Sequence, residues 1–209
     1  MLLWLWIGCT SEKHTETIGE PVDLMAHVDP MIATGGIGYG VNCGYPGVNY
    51  PLGMVKFSPD TATASGGADG YYRGGGYHYD DQQIQGFSLM HLYATGVTGH
   101  GTLATMAQDG FSFAQTDRDG YALPFTHEQE SAALGHYAVD FGTIRATLGA
   151  TEHTGLVQYQ FDGATDPVVL IDVAHAMGNG SVSEGDILIT ANGTVEGSLV
   201  MDGELGSPY

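Results

Sequence analysis

The sequence predicts an all-β fold, an antiparallel β-sandwich, from three observations. Helical periodicity is scarce, short strand-like runs recur, and turn residues separate those runs at regular spacing. In chain order the runs are Met54-Val55-Lys56-Phe57, His136 to Phe141, Thr143 to Leu148, Leu156 to Phe161, Val168 to Val173, Asp186 to Thr190 and Thr194 to Met201. Leu156 to Phe161 alternates as a half-buried strand should. Val168-Val169-Leu170-Ile171 is continuously apolar, which predicts a strand buried on both faces. Asp162-Gly163 and Asn192-Gly193 are turn signals, and the second lies between two apolar runs, where it is expected to close a hairpin. This spacing fits a sandwich and not a parallel α/β sheet. Between roughly Ser58 and Gly110 the pattern loosens into a stretch rich in Gly, Tyr, His and Asp. It reads as loops on a rigid sheet, where binding usually resides.

Composition supports a folded domain and limits its partners. A chain of 209 residues with 43% hydrophobic residues has room for a real core. There are 24 acidic residues against five basic ones, for a net charge of −19. Nucleic-acid binding needs clustered Lys and Arg, so no nucleic-acid partner is expected. An anionic membrane surface or a phosphorylated substrate is disfavoured for the same reason. A neutral polyol such as a sugar, or a cation such as calcium, stays compatible. The plainer role of the acidity is solubility.

The two cysteines are Cys9 and Cys43, too few for a disulfide framework or a zinc set. Residues 1–22 read as a leader and tether, and residues 23–209 as the sandwich domain. The apolar start Met1 to Ile7 runs into Gly8-Cys9 and then polar residues, similar to the lipobox of bacterial lipoproteins. Cys9 is the candidate lipidation site, and a lipid anchor would be the only membrane contact. The run is too short to span a bilayer and lacks a positive start. Export to the periplasm, the outer membrane or the medium is expected.

Several motifs carry no chemistry. Gly36-Ile37-Gly38-Tyr39-Gly40 lacks the strand–helix setting and the glycine spacing of a dinucleotide loop. His127-Glu128 matches the start of a zinc-protease helix, but the residue four places after His127 is Ser131. Asp117-Arg118-Asp119-Gly120 lacks the ligand positions of a calcium loop. Asn179-Gly180-Ser181 and Asn192-Gly193-Thr194 match glycosylation acceptors and carry little weight in a bacterium. No Gly-x-Ser-x-Gly elbow occurs, and sequence gives no pair of carboxylates a defined separation for glycoside cleavage, so no catalytic residue is assigned.

The densest constellation runs from Ala68 to Asp81 and mixes tyrosines, short carboxylates and glycines. Sugars are held by such sets, with a ring face on the C–H side and carboxylates on paired hydroxyls. The plainer alternative is a surface loop whose tyrosines pack on the sheet.

Val28-Asp29-Pro30-Met31-Ile32-Ala33-Thr34-Gly35-Gly36 and the stretch Tyr45 to Thr61, with Pro46-Gly47, Pro51-Leu52-Gly53-Met54 and Ser58-Pro59-Asp60-Thr61, resemble the opening of glycoside hydrolase family 92. The series continues through Gly76-Tyr77-His78-Tyr79-Asp80, Ile84 to Ser88, His91-Leu92, Thr95-Gly96, Phe125-Thr126-His127-Glu128, Gly135 to Val139 and Val169 to Asp172. The resemblance covers about residues 28 to 175. It implies a galactose-mutarotase-like supersandwich that precedes a larger catalytic helical toroid. It further implies a calcium-dependent, inverting exo-α-mannosidase acting on mannose-containing glycans, with calcium helping to bind and distort the terminal mannose.

On that resemblance the acid, the base and most calcium ligands belong to the missing carboxy-terminal domain. The present chain would then be inactive alone, packing on the toroid and lending a loop to the sugar pocket. Candidate substrate-binding residues on that loop are Asp69, Tyr71, Tyr72, His78 and Asp80. Relatives often carry a tryptophan just before the position of Asp69. Ala68 stands there instead, so Tyr71 or Tyr72 substitutes as the platform or the leaving-group preference differs. Ending at Tyr209, the sandwich is expected to lack its last strands, leaving an unpaired edge and a tendency to self-associate. The alternative function is a free-standing, surface-tethered glycan-binding module without catalysis.

Overall fold

The computed structural model describes residues 22–36, 43–62, 73–93, 100–178 and 180–202. Its strands, in chain order, are β1 (Val48–Asn49), β2 (Lys56–Ala62), β3 (Gln83–Leu89), β4 (Thr102–Asp109), β5 (Leu123–Pro124), β6 (Glu130–Ala133), β7 (His136–Asp140), β8 (Ile144–Ala150), β9 (Gly155–Phe161), β10 (Pro167–Asp172), β11 (Ser181–Ile189) and β12 (Val195–Asp202). One helical turn, α1 (Arg118–Tyr121), and three short 3-10 turns are the helical elements among the described residues. No helix there is long and apolar enough to cross a membrane.

A six-stranded sheet runs β1-β2-β3-β4-β10, with β5 paired to β3, and a four-stranded sheet runs β6-β7-β8-β9. All pairings are antiparallel. The two sheets share one core, including Phe57, Phe87, Tyr137, Val139, Ala146 and Leu148. Across it the Phe87 and Tyr159 rings lie 6.2 Å apart. The Tyr159 hydroxyl is 3.0 Å from Thr105 Oγ1. The architecture is therefore the antiparallel sandwich that the alternating strands predicted. The Asn192-Gly193 hairpin forms as well, joining β11 to β12 with Gly193 at φ +83.

The opposite face of the six-stranded sheet positions the site. Because side chains alternate along a strand, placing Phe57 in the core sends Ser58 and Asp60 to the other side. The register pairs Ser58 with Ser88 and Asp60 with Gly86. Tyr121 of α1 covers this face, donating its hydroxyl to Asp172 at 2.8 Å.

Two expectations need correcting. The stretch from Ser58 to Gly110 is not loop throughout, since it holds most of β2 and all of β3 and β4. Small and polar residues such as Ser58, Gly86, Ser88 and Ala104 break the apolar alternation there, because that face carries buried polar side chains and a close-lying Tyr121. The run Val168 to Ile171 is not buried on both faces. It sits in β10 at the sheet edge, with Val169 50% and Ile171 38% exposed. An apolar cavity of about 310 Å³ between Ile171, Val157 and the β11–β12 hairpin explains part of this exposure.

Candidate functional site

The segment from Arg73 to Gln82 leads into β3 and is clamped by three buried carboxylates. The first is Asp81, 4% exposed. Arg73 grips it with Nε at 2.5 Å and with Nη2, and Thr61 Oγ1 donates to it at 2.7 Å. Thr61 in turn accepts the backbone N–H of His78 at 2.8 Å. A bidentate guanidinium–carboxylate pair fixes orientation as well as distance. One of the chain's few cations is thus committed to holding this segment.

The second clamp is Glu130, at the start of β6 in the other sheet. Its carboxylate accepts from Tyr77 Oη at 2.7 Å, Tyr137 Oη at 2.6 Å and His127 Nδ1 at 2.6 Å. Burial, with the Glu130 charge and hydrogen bond behind it, pushes both tyrosine hydroxyls far above their ordinary value. Tyr79 stacks on His127, with ring centroids 3.8 Å apart and planes 12° from parallel.

The third is Asp60, 3% exposed. His175 Nε2–H donates to Oδ2 at 2.5 Å, and His91 Nε2 lies 3.4 Å from Oδ1. His91 Nδ1–H donates to the carbonyl of Gly75 at 2.7 Å, and its Nε2 is 3.0 Å from Ser88 Oγ. Burial alone raises the Asp60 carboxyl, but the His91 charge and the His175 hydrogen bond and charge hold it below the ordinary carboxylate value. Met90, at φ +67, turns the chain just after β3 and precedes inward-facing His91. Such a backbone costs about 1–3 kcal/mol at a non-glycine residue and persists only where its surroundings hold it. Gly76 completes the cluster: at φ +86, any Cβ there would strike the Asp60 carboxylate and lie 2.7 Å from the His91 ring.

Ser88, His91 and Asp60 are the residue types of a nucleophilic triad but not its geometry. Serine and aspartate face the same nitrogen, the other nitrogen holds a backbone carbonyl, and all three side chains are buried. The cluster is a junction joining the end of β3, the Gly75-Gly76 turn and the chain after β10.

Of the residues expected to touch sugar, Asp69, Tyr71 and Tyr72 lie outside the described residues, as does Cys9. His78 is fully buried. Its Nε2–H donates to the carbonyl of Gly36 at 2.8 Å and its Nδ1 accepts the N–H of Asp80 at 3.0 Å, so the ring braces the segment from below. Asp80 has a 56% exposed side chain and faces solvent. Sequence reasoning missed Asp60, Asp81, Glu130, His127 and His175 as site-building residues, because key partners lie far along the chain, 53 positions for Tyr77 and Glu130 and 115 for His175 and Asp60. Among the described residues, no group of three or more His, Cys, Asp or Glu is arranged to hold a metal ion.

Comparison with known proteins places this geometry in a family. The profile of the glycosyl hydrolase family 92 N-terminal domain matches residues 27–209. A protein of Arthroderma benhamiae named as an uncharacterized secreted glycosidase is 25% identical over 189 residues, which is 82% of this chain and 23% of that protein. A family GH92 alpha-mannosidase of Bacteroides thetaiotaomicron superposes with a TM-score of 0.74 at 24% identity, over 86% of this chain and 24% of its own. Its complex with mannoimidazole gives 0.72 at 25% identity, over 86% and 23%. The GH92 glycosyl hydrolase ccman5 gives 0.69 at 28% identity, over 87% and 24%. The present chain thus spans about a quarter of its relatives' length. With the match running through every element that builds the three clamps, this chain belongs to glycosyl hydrolase family 92, as its N-terminal domain.

Proposed function

We propose that this chain is the non-catalytic accessory part of a secreted mannosidase-type glycoside hydrolase, packing on a carboxy-terminal catalytic domain and lending a loop to the sugar pocket. The observation that carries this reading is the tying of the Arg73–Gln82 segment to both sheets, its own buried Asp81 held by Arg73 and by Thr61 of β2 and its Tyr77 held by Glu130 of β6. A loop that only connected two strands would not require Asp81, Glu130 and the His78 brace together. Rigid support of this kind suits a segment that must meet a ligand in one geometry. In this reading Asp69, Tyr71, Tyr72 and Asp80 contact the glycan, and His78 acts by fixing the segment that carries them.

Two further strands of support come from the relatives. One is described in complex with mannoimidazole, which argues for a mannose-type glycan as the ligand. Another is named as secreted, which argues for export here. In this reading calcium, held mainly by ligands outside this chain, and the acid and base carboxylates belong to the remainder of the enzyme. The test is mannose release from α-mannobiose, with and without calcium, by this chain and by a version continued through the catalytic domain. Activity is expected only from the continued protein supplied with calcium. Robust release by the 209-residue chain alone would overturn the accessory role.

A further inference from the structure

We infer that Tyr79, His127 and Asp80 form a binding platform for a neutral saccharide on this chain itself, deepening the reading above, on which the choice of sugar rests. Tyr79 is 41% exposed, an unusual state for a ring held so firmly. His127 stacks beneath it at 3.8 Å. The Tyr79 backbone N–H donates to the carbonyl of Thr34 at 2.8 Å. Gly35 lies so close that a side chain there would sit 3.0 Å from Tyr79 Cβ.

The support extends inward. His127 is itself oriented by Glu130, whose carboxylate is 4% exposed and also accepts the Tyr77 and Tyr137 hydroxyls. That carboxylate keeps the proton of His127 on Nδ1, because a carboxylate only accepts. In the neutral ring, Nε2 of the 35% exposed imidazole is then the acceptor nitrogen, and it has no hydrogen-bonding partner among the described residues. Three buried hydrogen bonds thus immobilise one surface aromatic pair. A ligand gains affinity from such pre-organisation, because the ordering cost is already met.

The chemistry selects the ligand class. An exposed aromatic surface takes the C–H face of a pyranose. The Asp80 carboxylate, 56% exposed, and His127 Nε2 accept from neighbouring hydroxyls. The nearest cation in the segment, Arg73, is bound to Asp81, and the chain carries a net charge of −19. Phosphorylated sugars and uronates are therefore repelled, and a neutral hexopyranoside remains.

The experiment is a titration of the 209-residue chain with methyl α-mannoside and with choline, followed by NMR shifts of tyrosine and histidine ring signals. Saturable binding of the mannoside is expected, weakened about tenfold in Tyr79→Ala and retained in Tyr79→Phe, a factor in line with the worth of one aromatic contact. His127→Gln, which keeps a donor for Glu130 but removes the ring, is expected to weaken binding with the fold intact. Mannoside binding that is equal in Tyr79→Ala and the unaltered chain would overturn the platform while leaving the accessory role standing. Binding of choline alone would overturn it too, since the ring would then be serving a cation. So would the absence of saturation at tens of millimolar, roughly the weakest affinity one stacked ring supports.

Discussion

Glu130 and Asp60 are both buried carboxylates that fasten the same segment, yet they are built differently. Glu130 receives hydrogen bonds from two tyrosine hydroxyls and one imidazole, and both of its oxygens are used. Asp60 faces two imidazoles, and its Oδ1 has no hydrogen-bond donor; nor has the buried Nδ1 of His175 a partner. A carboxylate fully satisfied by neutral donors is a permanent fastening, whereas one left short of a donor is a fastening whose strength depends on where protons sit. The difference places rigidity beneath Tyr77 and Tyr79 and leaves adjustability beneath the Gly75-Gly76 turn and the chain after β10.

The largest expected effect comes from breaking the satisfied node. Glu130→Ala leaves two buried tyrosine hydroxyls and an imidazole without an acceptor and should destabilise by about 3–5 kcal/mol, measured by urea unfolding. A loss below about 1 kcal/mol would mean the tyrosines find other partners and the node is not a clamp.

Alkaline pH probes the same node without mutation. The Tyr77 and Tyr137 hydroxyls are raised by burial and by Glu130, so the folded state resists their ionisation. Their contribution is fully present below the ordinary tyrosine value of about 10 and is lost as pH rises above it, when the unfolded chain gives up those protons first. Two such groups predict a loss of about 2–3 kcal/mol by roughly pH 11. Tyr45, Tyr121 and Tyr159 are raised too, chiefly by burial, and steepen the same limb. A flat stability profile across this range would contradict the burial of these hydroxyls.

The Asp60 node is tested next by Gly76→Ala. The new methyl would collide with the Asp60 carboxylate, with the Met177 sulfur at 2.5 Å and with the His91 ring, on a backbone at φ +86. Gly135 at φ +70 has nothing within 4 Å and serves as the control for backbone strain alone. Gly135→Ala should cost about 1 kcal/mol and Gly76→Ala about 2 kcal/mol or more. Equal losses would show that the turn does not bear on the node.

The architecture was legible where side chains alternate cleanly. Leu156 to Phe161 became β9 with alternating burial, and Asn192-Gly193 turned the β11–β12 hairpin. It was illegible in β3 and β4, where Gly86, Ser88 and Ala104 replace the apolar partners that alternation needs. Tyr77 illustrates the limit at the site. Its place in a Gly-Tyr run reads equally as sugar platform or as sheet packing, and only the distant Glu130, 53 residues on, decides for packing. Tyr79, two residues later, is decided by His127 in the opposite direction, toward the surface. Long-range partners of this kind leave no periodic trace, so local reading located the segment but could not sort its residues.

The smallest expected effect is the most informative about the comparison. In Asp60→Asn the remaining oxygen still accepts from His175 Nε2–H, and the amide NH₂ replaces Oδ1, the atom that has no donor in the native cluster. His91 Nδ1–H is committed to the Gly75 carbonyl and its Nε2 already lies 3.0 Å from Ser88 Oγ, so in the neutral ring the new amide shares that nitrogen with the serine hydroxyl. The loss at neutral pH should therefore be about 1 kcal/mol or less. The acid limb should change as well. Asp60 is held below its ordinary value in the folded state, so its contribution is present above about pH 4 and lost as pH falls through the folded value, and Asp60→Asn should flatten that limb. A neutral-pH loss of several kcal/mol would show instead that the Asp60 charge is paired with a doubly protonated His91 across the 3.4 Å gap. The two carboxylates would then be equally complete, one through neutral donors and the other through charge.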